Sequence, residues 1–278
     1  MTAVPQDLPA PAAGPAEGIF VARAVVGGEI RHGLVEGDRF RPLLGDVFAA
    51  LEPAAETMPL RDAMLLSPSE PGHVYVVLGG FAPLGGEDPR PLPRLIPKIV
   101  STVGGDGSEI VIPRFVAGPV WAEAEVAVVV GSTLHRASRA EAARAIFGYA
   151  CFNDASAPAY LEHGPSGYFQ AKSIETFAAM GPWIRTDLRE DDLRAGLTIE
   201  ARINGVTQAT GTTALARYAP SELLEFLSQH VTLVAGDVVS LGTPKPCEVE
   251  PGDAVEIEVE GIGVLRNGIV GEPSARPS

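Results

Sequence analysis

AEAEVAVVVG, residues 122–131, is the stretch on which the reading of this chain turns. Val126 to Val130 is apolar on both faces of an extended backbone, the pattern of a strand buried on both sides. Alternation places Glu123 and Glu125 on one face, with Cα atoms about 7 Å apart. Two like charges at the mouth of a buried strand repel each other and lose water. They require a compensating cation or raised pKa values. A hard divalent metal held by oxygen ligands is one such compensation. A strand end in open solvent is the other reading. Glu256, Glu258 and Glu260 carry the same spacing with a plainer meaning, because they alternate with Val255, Ile257 and Val259 and read as a strand with one wet face.

Outward from this stretch, most of the chain reads as short strands. IFVARAVV (19–26) and EIRHGLVEGDRFRPL (29–43) are joined by Gly27-Gly28 and interrupted by Gly37-Asp38, both hairpin signals. HVYVVLGG (73–80), LTIEARING (197–205), DVVSLG (237–242) and DAVEIEVEG (253–261) read alike, and residues 81–97 read as a Gly- and Pro-rich loop. Two helices are expected. One runs from Ser138 to Phe147 behind a Ser138/Glu141 capping box. The other begins near Pro220-Ser221 and carries Leu223, Leu224, Leu227 and Val231 at helical spacing. Strands and helices do not alternate, so a doubly wound parallel sheet is excluded in favour of a β-rich α+β fold. The expected organisation is a disordered Pro/Ala/Gly-rich arm (1–18), a small N-terminal β domain (19–70), a main domain (71–271) and a disordered tail (272–278).

Composition narrows the function. Across 278 residues, 21 Lys+Arg stand against 35 Asp+Glu, a balance of 21 − 35 = −14. That charge argues against a nucleic-acid surface, which needs a basic patch. Cys151 and Cys247 lie far apart and form no Cys-x-x-Cys, which excludes a zinc ribbon or disulfide scaffold and fits a reducing cytoplasm. No apolar run approaches the roughly 20 residues of a membrane span, and Met1 to Gly18 does not read as a signal peptide. There is no Gly-x-Ser-x-Gly elbow and no P-loop. Asp154, in GYACFNDASA (148–157), follows another apolar strand-like stretch and is a candidate to join the two glutamates, or else a turn residue.

At these residues the chain resembles the fumarylacetoacetate hydrolase family, from about Val74 to Val270. AEAEVAVVVG looks like the family's Glu-x-Glu strand, and FNDASA (152–157) looks like its Asn-Asp-x-Ser-Ala motif. KSIETFAAMGPW (172–183), VVSLGTP (238–244) and GIGVLRNGIV (261–270) are similar to three further family motifs, in the family's order. The resemblance implies a distorted β-roll or β-barrel core and a homodimer. It implies Mg²⁺, or Mn²⁺ or Ca²⁺, held by Glu123, Glu125 and Asp154, and a small-molecule oxo-acid or diketone substrate. Lys172 matches the family lysine that places a second positive charge beside the reacting oxygen. Thr243 is expected to hydrogen-bond the substrate, and a turn role is its alternative.

Two departures qualify the match. The family's hydrolytic members carry Gly-Leu-Asn-Tyr-x-x-His-x-x-Glu after the first strand of the domain, where this chain has VLGGFAPLGGE (77–87). In gap-free register Phe81 stands at the aromatic, Leu84 at the histidine and Glu87 at the acid. Leucine accepts no proton, so general-base activation of water by that pair is lost, and Glu87 is left as a lone base or a loop charge. Secondly, the family's Ser-Ala-Arg-Asp-x-Gln is replaced by Ser156-Ala157-Pro158-Ala159-Tyr160-Leu161, with Gln170 a candidate to supply the missing amide. Of the histidines, His73, His135 and His230 read as bystanders, and His163 is the best placed substitute. The expected function is a divalent-metal-dependent enzyme acting on a 1,3-dicarbonyl or 2-oxo acid through a metal-stabilised enolate. C–C hydrolysis, decarboxylation, isomerisation and hydration are all open. The alternatives are reprogrammed non-hydrolytic chemistry, such as enolate-mediated cyclisation, and a non-catalytic metal- or ligand-binding scaffold.

Overall fold

A computed structural model describes residues 17–81, 92–99, 101 and 103–273. The long strand Val120–Val130 is the axis of the larger sheet, and every residue from Ala122 to Val130 is buried. Its even-numbered residues, Val126, Val128 and Val130, enter the core formed with Ile199, Ile257 and Leu265. Its odd-numbered Ala127 and Val129 enter a separate core with Val74, Val76, Phe152, Met180 and Val238. The uninterrupted apolar run thus serves two cores at once, one on each face.

Ile146–Asp154 and Val238–Ser240 flank this strand, both antiparallel to it. Beyond Ile146–Asp154 come Ala178–Arg185, Phe20–Val26, Glu29–Glu36 and Arg39–Leu44. Beyond Val238–Ser240 come Val74–Val77, which is parallel to it, and then Leu95–Lys98. A second sheet, in the order Glu109–Ile112, Gly263–Gly271, Ala254–Val259, Thr198–Ile203 and Val206–Thr212, packs over the first core. This is the expected β-rich α+β fold. Among the described residues no helix is long and apolar enough to cross a membrane.

The N-terminal strands extend the larger sheet. Phe20 and Val21 pair with Arg185 and Ile184, and the Phe20 ring packs edge-on against Trp183 with centroids 5.9 Å apart. Gly27 and Gly28 both have positive φ, the backbone that a two-residue hairpin turn requires.

Several local expectations need correction. The helix capped by Ser138 ends at Arg144, and Phe147 belongs to the following strand. The apolar IFGYACF run there hydrogen-bonds between two neighbouring strands, and sheet burial prevails over the Ala-rich helical propensity before it. The second helix, Pro220–Ser228, buries Leu223, Leu224 and Leu227 as expected, but Val231 lies beyond it and is exposed. Pro165–Lys172 and Glu190–Ala195 are helices that the hydrophobic spacing does not indicate. Leu95–Lys98, within and just past the stretch read as loop, is a strand.

Candidate active site

Strand parity and register assemble the site. Glu125 lies opposite Phe152, and Ala124 opposite Asn153. One step further along the same register brings Asp154 across from Glu123. Residues opposite each other in a ladder share a face, so all three carboxylates project from one side of the sheet. On the other flank Ser240 lies opposite Ala127, on that same face. Oxygens of Glu123, Glu125 and Asp154 lie within 4.8 Å of one another, and all three residues are buried. Among the described residues this is the only such group of three or more potential metal-ligating side chains.

Two lysines close the cluster. Lys172, at the last turn of the Pro165–Lys172 helix, donates from Nζ to Glu123 Oε1 at 2.9 Å and to Asp154 Oδ2 at 2.5 Å. Lys98 donates to the other Asp154 oxygen and, at 3.0 Å, to the Ala155 carbonyl. Ser240 donates its hydroxyl to Glu125. Sequence reasoning missed Lys98 and Ser240. Lys98 pairs with Val74 and is two residues from Ile96, so it continues a buried apolar face. A lysine in such a row was the available signal, and the surrounding prolines concealed it.

The electrostatics follow from burial and these contacts. Burial pushes Glu125 well above the usual carboxylate range, with Asp154 and Glu123 adding repulsion. Burial would also raise Asp154, but Lys172 and Lys98 outweigh it and hold this carboxyl below its ordinary value. Burial opposes the charge on Lys172, yet Asp154, Glu123 and Glu125 together leave its pKa raised. Lys98 is lowered by complete burial, assisted by repulsion from Lys172. Asp154 is therefore an anion between two lysines, and Glu125 is the carboxyl that most readily keeps its proton.

Phe81 and Thr243 each follow a glycine of a neighbouring crossing, where Gly80 meets Leu241 and Gly242, and the Thr243 hydroxyl donates to the Lys245 carbonyl at 3.3 Å. A Cβ on Gly80 would fall on the Leu241 carbonyl oxygen, and one on Gly242 would lie 3.0 Å from the Gly80 Cα and from the Val77 carbonyl oxygen. Only glycines let these two backbones approach so closely. Residue 243 thus leaves the crossing three positions after Ser240, while the Phe81 carbonyl accepts a bond from Arg217 Nε at 3.1 Å. Gln170 is not brought to the carboxylates. It is exposed, its side-chain oxygen meets His163 Nδ1 at 3.1 Å, and it lines an open groove with Phe115, Tyr160 and Phe169. Leu84 and Glu87 lie outside the described residues. His73, His135 and His230 bond to Asp237, Thr232 and the Phe226 carbonyl respectively, away from the cluster.

Comparison with known proteins accords with this arrangement. The model of the fumarylacetoacetate hydrolase C-terminal domain matches residues 82–270, which include the whole cluster. The chain belongs to the fumarylacetoacetate hydrolase family. The model of the Rv2993c-like N-terminal domain matches residues 21–68. An uncharacterised Archaeoglobus fulgidus protein is 34% identical over 214 residues, 76% of this chain and 83% of its own length. The Escherichia coli 4-hydroxyphenylacetate degradation bifunctional isomerase/decarboxylase is 31% identical over 249 residues, 86% of this chain and 57% of its own length. A Mycobacterium marinum structure described as 2-hydroxyhepta-2,4-diene-1,7-dioate isomerase superposes with a TM-score of 0.83 at 28% identity, covering 92% of this chain and all of that one. Family relatives thus bear the names of enzymes acting on small molecules.

Proposed function

We propose that the chain is a divalent-metal-dependent enzyme that acts on a 1,3-dicarbonyl or 2-oxo acid through its enolate. The convergence of Glu123, Glu125 and Asp154 carries this reading. Two oxygens on one ion lie at most about twice the bond length apart, about 4.0–4.2 Å for Mg²⁺ and about 4.6–5.2 Å for Ca²⁺, so a span of 4.8 Å already suits the larger ion and closes by under an ångström around the smaller. The donors are all carboxylate oxygens, the set that suits Mg²⁺, with Mn²⁺ or Ca²⁺ as substitutes. Lys98 and Lys172 supply in the protein alone the positive charge that such a cluster demands.

A bound ion would supply a Lewis acid toward a carbonyl oxygen of the substrate. The remaining work falls to the chain. Lys172 keeps its proton and presents positive charge where an enolate oxygen develops negative charge. Ser240 fixes the rotamer of Glu125. Thr243 and Phe81, which follow the two crossing glycines, would hold the substrate by a hydroxyl and a ring face. Glu87 is retained as the candidate proton-transfer group.

Isomerisation or decarboxylation suits these residues better than hydrolysis. Leu84 stands where the family's water-activating histidine belongs, and both reactions proceed through an enolate without an attacking water. The E. coli relative's name contains both activities. A non-catalytic scaffold is the second reading, favoured by the altered segment Pro158-Ala159-Tyr160-Leu161, which folds as a short 3₁₀ helix over Pro158–His163.

The test is incubation of Mg²⁺- or Mn²⁺-loaded protein with oxaloacetate, acylpyruvates and longer β-keto acids, with products read by mass and keto–enol change by ultraviolet absorbance. Conversion that disappears in Glu125→Ala supports the enzyme. Metal binding without conversion of any compound favours the scaffold, and equal conversion by Glu125→Ala overturns the metal reading.

A further inference from the structure

On the face of the sheet opposite the carboxylates lies a chain of side-chain amides. Asn267 sits between Leu265 and Ile269 on the strand Gly263–Gly271, in a row where its neighbours are apolar and fully buried, and it is itself 0% exposed. Its Nδ2 donates to the Ser108 carbonyl at 3.1 Å and to the Ser108 hydroxyl at 3.2 Å. Its Oδ1 accepts from Asn153 Nδ2 at 3.1 Å. Asn153, also 0% exposed, accepts on Oδ1 the backbone N–H of Glu123, at 3.4 Å. The two ends of this relay are backbone groups of fixed polarity, an amide at Glu123 and a carbonyl at Ser108, so the orientation of both side-chain amides is determined.

We infer that Asn267 is a positioning residue for the carboxylate cluster, acting through Asn153 on the backbone of Glu123. The inference rests on the reading of that cluster as a metal centre. Two buried amides cost more to desolvate than the leucines that would fit the same row, and they return that cost only when fully paired. The Asn153–Asn267 bond ties the second sheet to the strand pair bearing Glu123 and Asp154, and the two bonds to Ser108 hold Asn267 in place for it. The tie sets where the Glu123 backbone stands relative to Asn153, and thereby the spacing of the carboxylates behind it.

The experiment separates this role from packing. Mn²⁺ affinity of the full chain is measured by calorimetry and electron paramagnetic resonance, and metal-free stability by denaturant unfolding, in the wild type, Asn267→Leu and Asn153→Leu/Asn267→Leu. Asn267→Leu is expected to weaken Mn²⁺ binding about 10–100-fold, the usual effect of losing a group that orients a ligand. The double variant, with no orphaned side-chain amide, is expected to regain part of the stability that Asn267→Leu loses but not Mn²⁺ affinity, because the Glu123 N–H has lost its acceptor; packing alone would not produce that split. Asn267→Ser, a smaller change, serves if Asn267→Leu does not fold, with the same expectation. Folded variants with wild-type Mn²⁺ affinity would overturn the inference while leaving the metal site standing. A wild type that binds no Mn²⁺, or binds it equally after Glu125→Ala, would overturn the metal reading and this inference with it.

Discussion

Lys172 Nζ and Asp154 Oδ2 lie 2.5 Å apart with side chains 3% and 2% exposed, an ion pair sealed from water at the centre of the site. Lys98 holds the other oxygen of the same carboxylate. Asp154 is thus the shared counter-charge of two buried cations. Replacing it with asparagine leaves both lysines without that charge, and breaking a buried pair from one side costs about 3–5 kcal/mol. Asp154→Asn is expected to lose stability of that order in urea unfolding and to lose Mn²⁺ binding.

Lys172 separates binding from chemistry. Lys172→Met keeps most of the side-chain volume and removes the charge. Its kcat is expected to fall about 10²–10³-fold, the usual effect of removing one donor that stabilises a developing oxyanion. Mn²⁺ affinity should be unchanged or higher, since a competing cation has gone. Steady-state kinetics with oxaloacetate and Mn²⁺ calorimetry on the same preparation check both halves. A wild-type kcat would remove Lys172 from the mechanism.

The crossing of Gly80 and Gly242 is a steric lock. Gly80→Ala would drive a methyl group onto the Leu241 carbonyl oxygen, a backbone atom that cannot swing aside. A loss of about 1–3 kcal/mol or more is expected, seen as a lowered thermal midpoint. The displaced crossing should also raise KM more than it lowers kcat, because Thr243 and Phe81 move while Lys172 does not.

His32 gives the fold an acid-side weakness remote from the carboxylates. Burial first, and then the neighbouring Arg23, hold its pKa below the ordinary 6.5. The unfolded chain therefore binds a proton on this ring at a higher pH than the folded chain does. Stability from this group is complete above pH 6.5 and is lost as pH falls through the lowered folded value. His32→Gln should flatten the decline in unfolding free energy as pH falls below 6.5. An unchanged slope would show that another group sets it.

How much of the site could be read from the chain depends on the range of each interaction. Glu123 and Glu125 share a face because alternation is local, and the structure keeps them so. Asp154 joins them through the pairing of two strands, and pairing register is not written in either strand alone; its place after a strand leaves it open between a third ligand and a turn residue, and the family resemblance favours the first. Lys98 escaped because Pro93 and Pro97 made its strand look like loop. For Gln170, closeness in sequence to Lys172 does not translate into closeness to the carboxylates, because residues two apart on the helix Pro165–Lys172 point to different sides. The capping box at Ser138 sets the start of its helix locally, but the end at Arg144, three residues short of Phe147, is set by a strand that needs two neighbours.

The pairing of Phe20 and Val21 with Arg185 and Ile184 has a consequence for anyone who cuts the chain. With residues before about 70 removed, the end of Ala178–Arg185 would display unsatisfied amides and carbonyls beside a bared Trp183 indole. Such an open strand edge recruits other copies of itself. The shortened protein should therefore precipitate or form ladders of copies even with its carboxylate cluster intact, and the first strands serve the remainder as a guard against self-association.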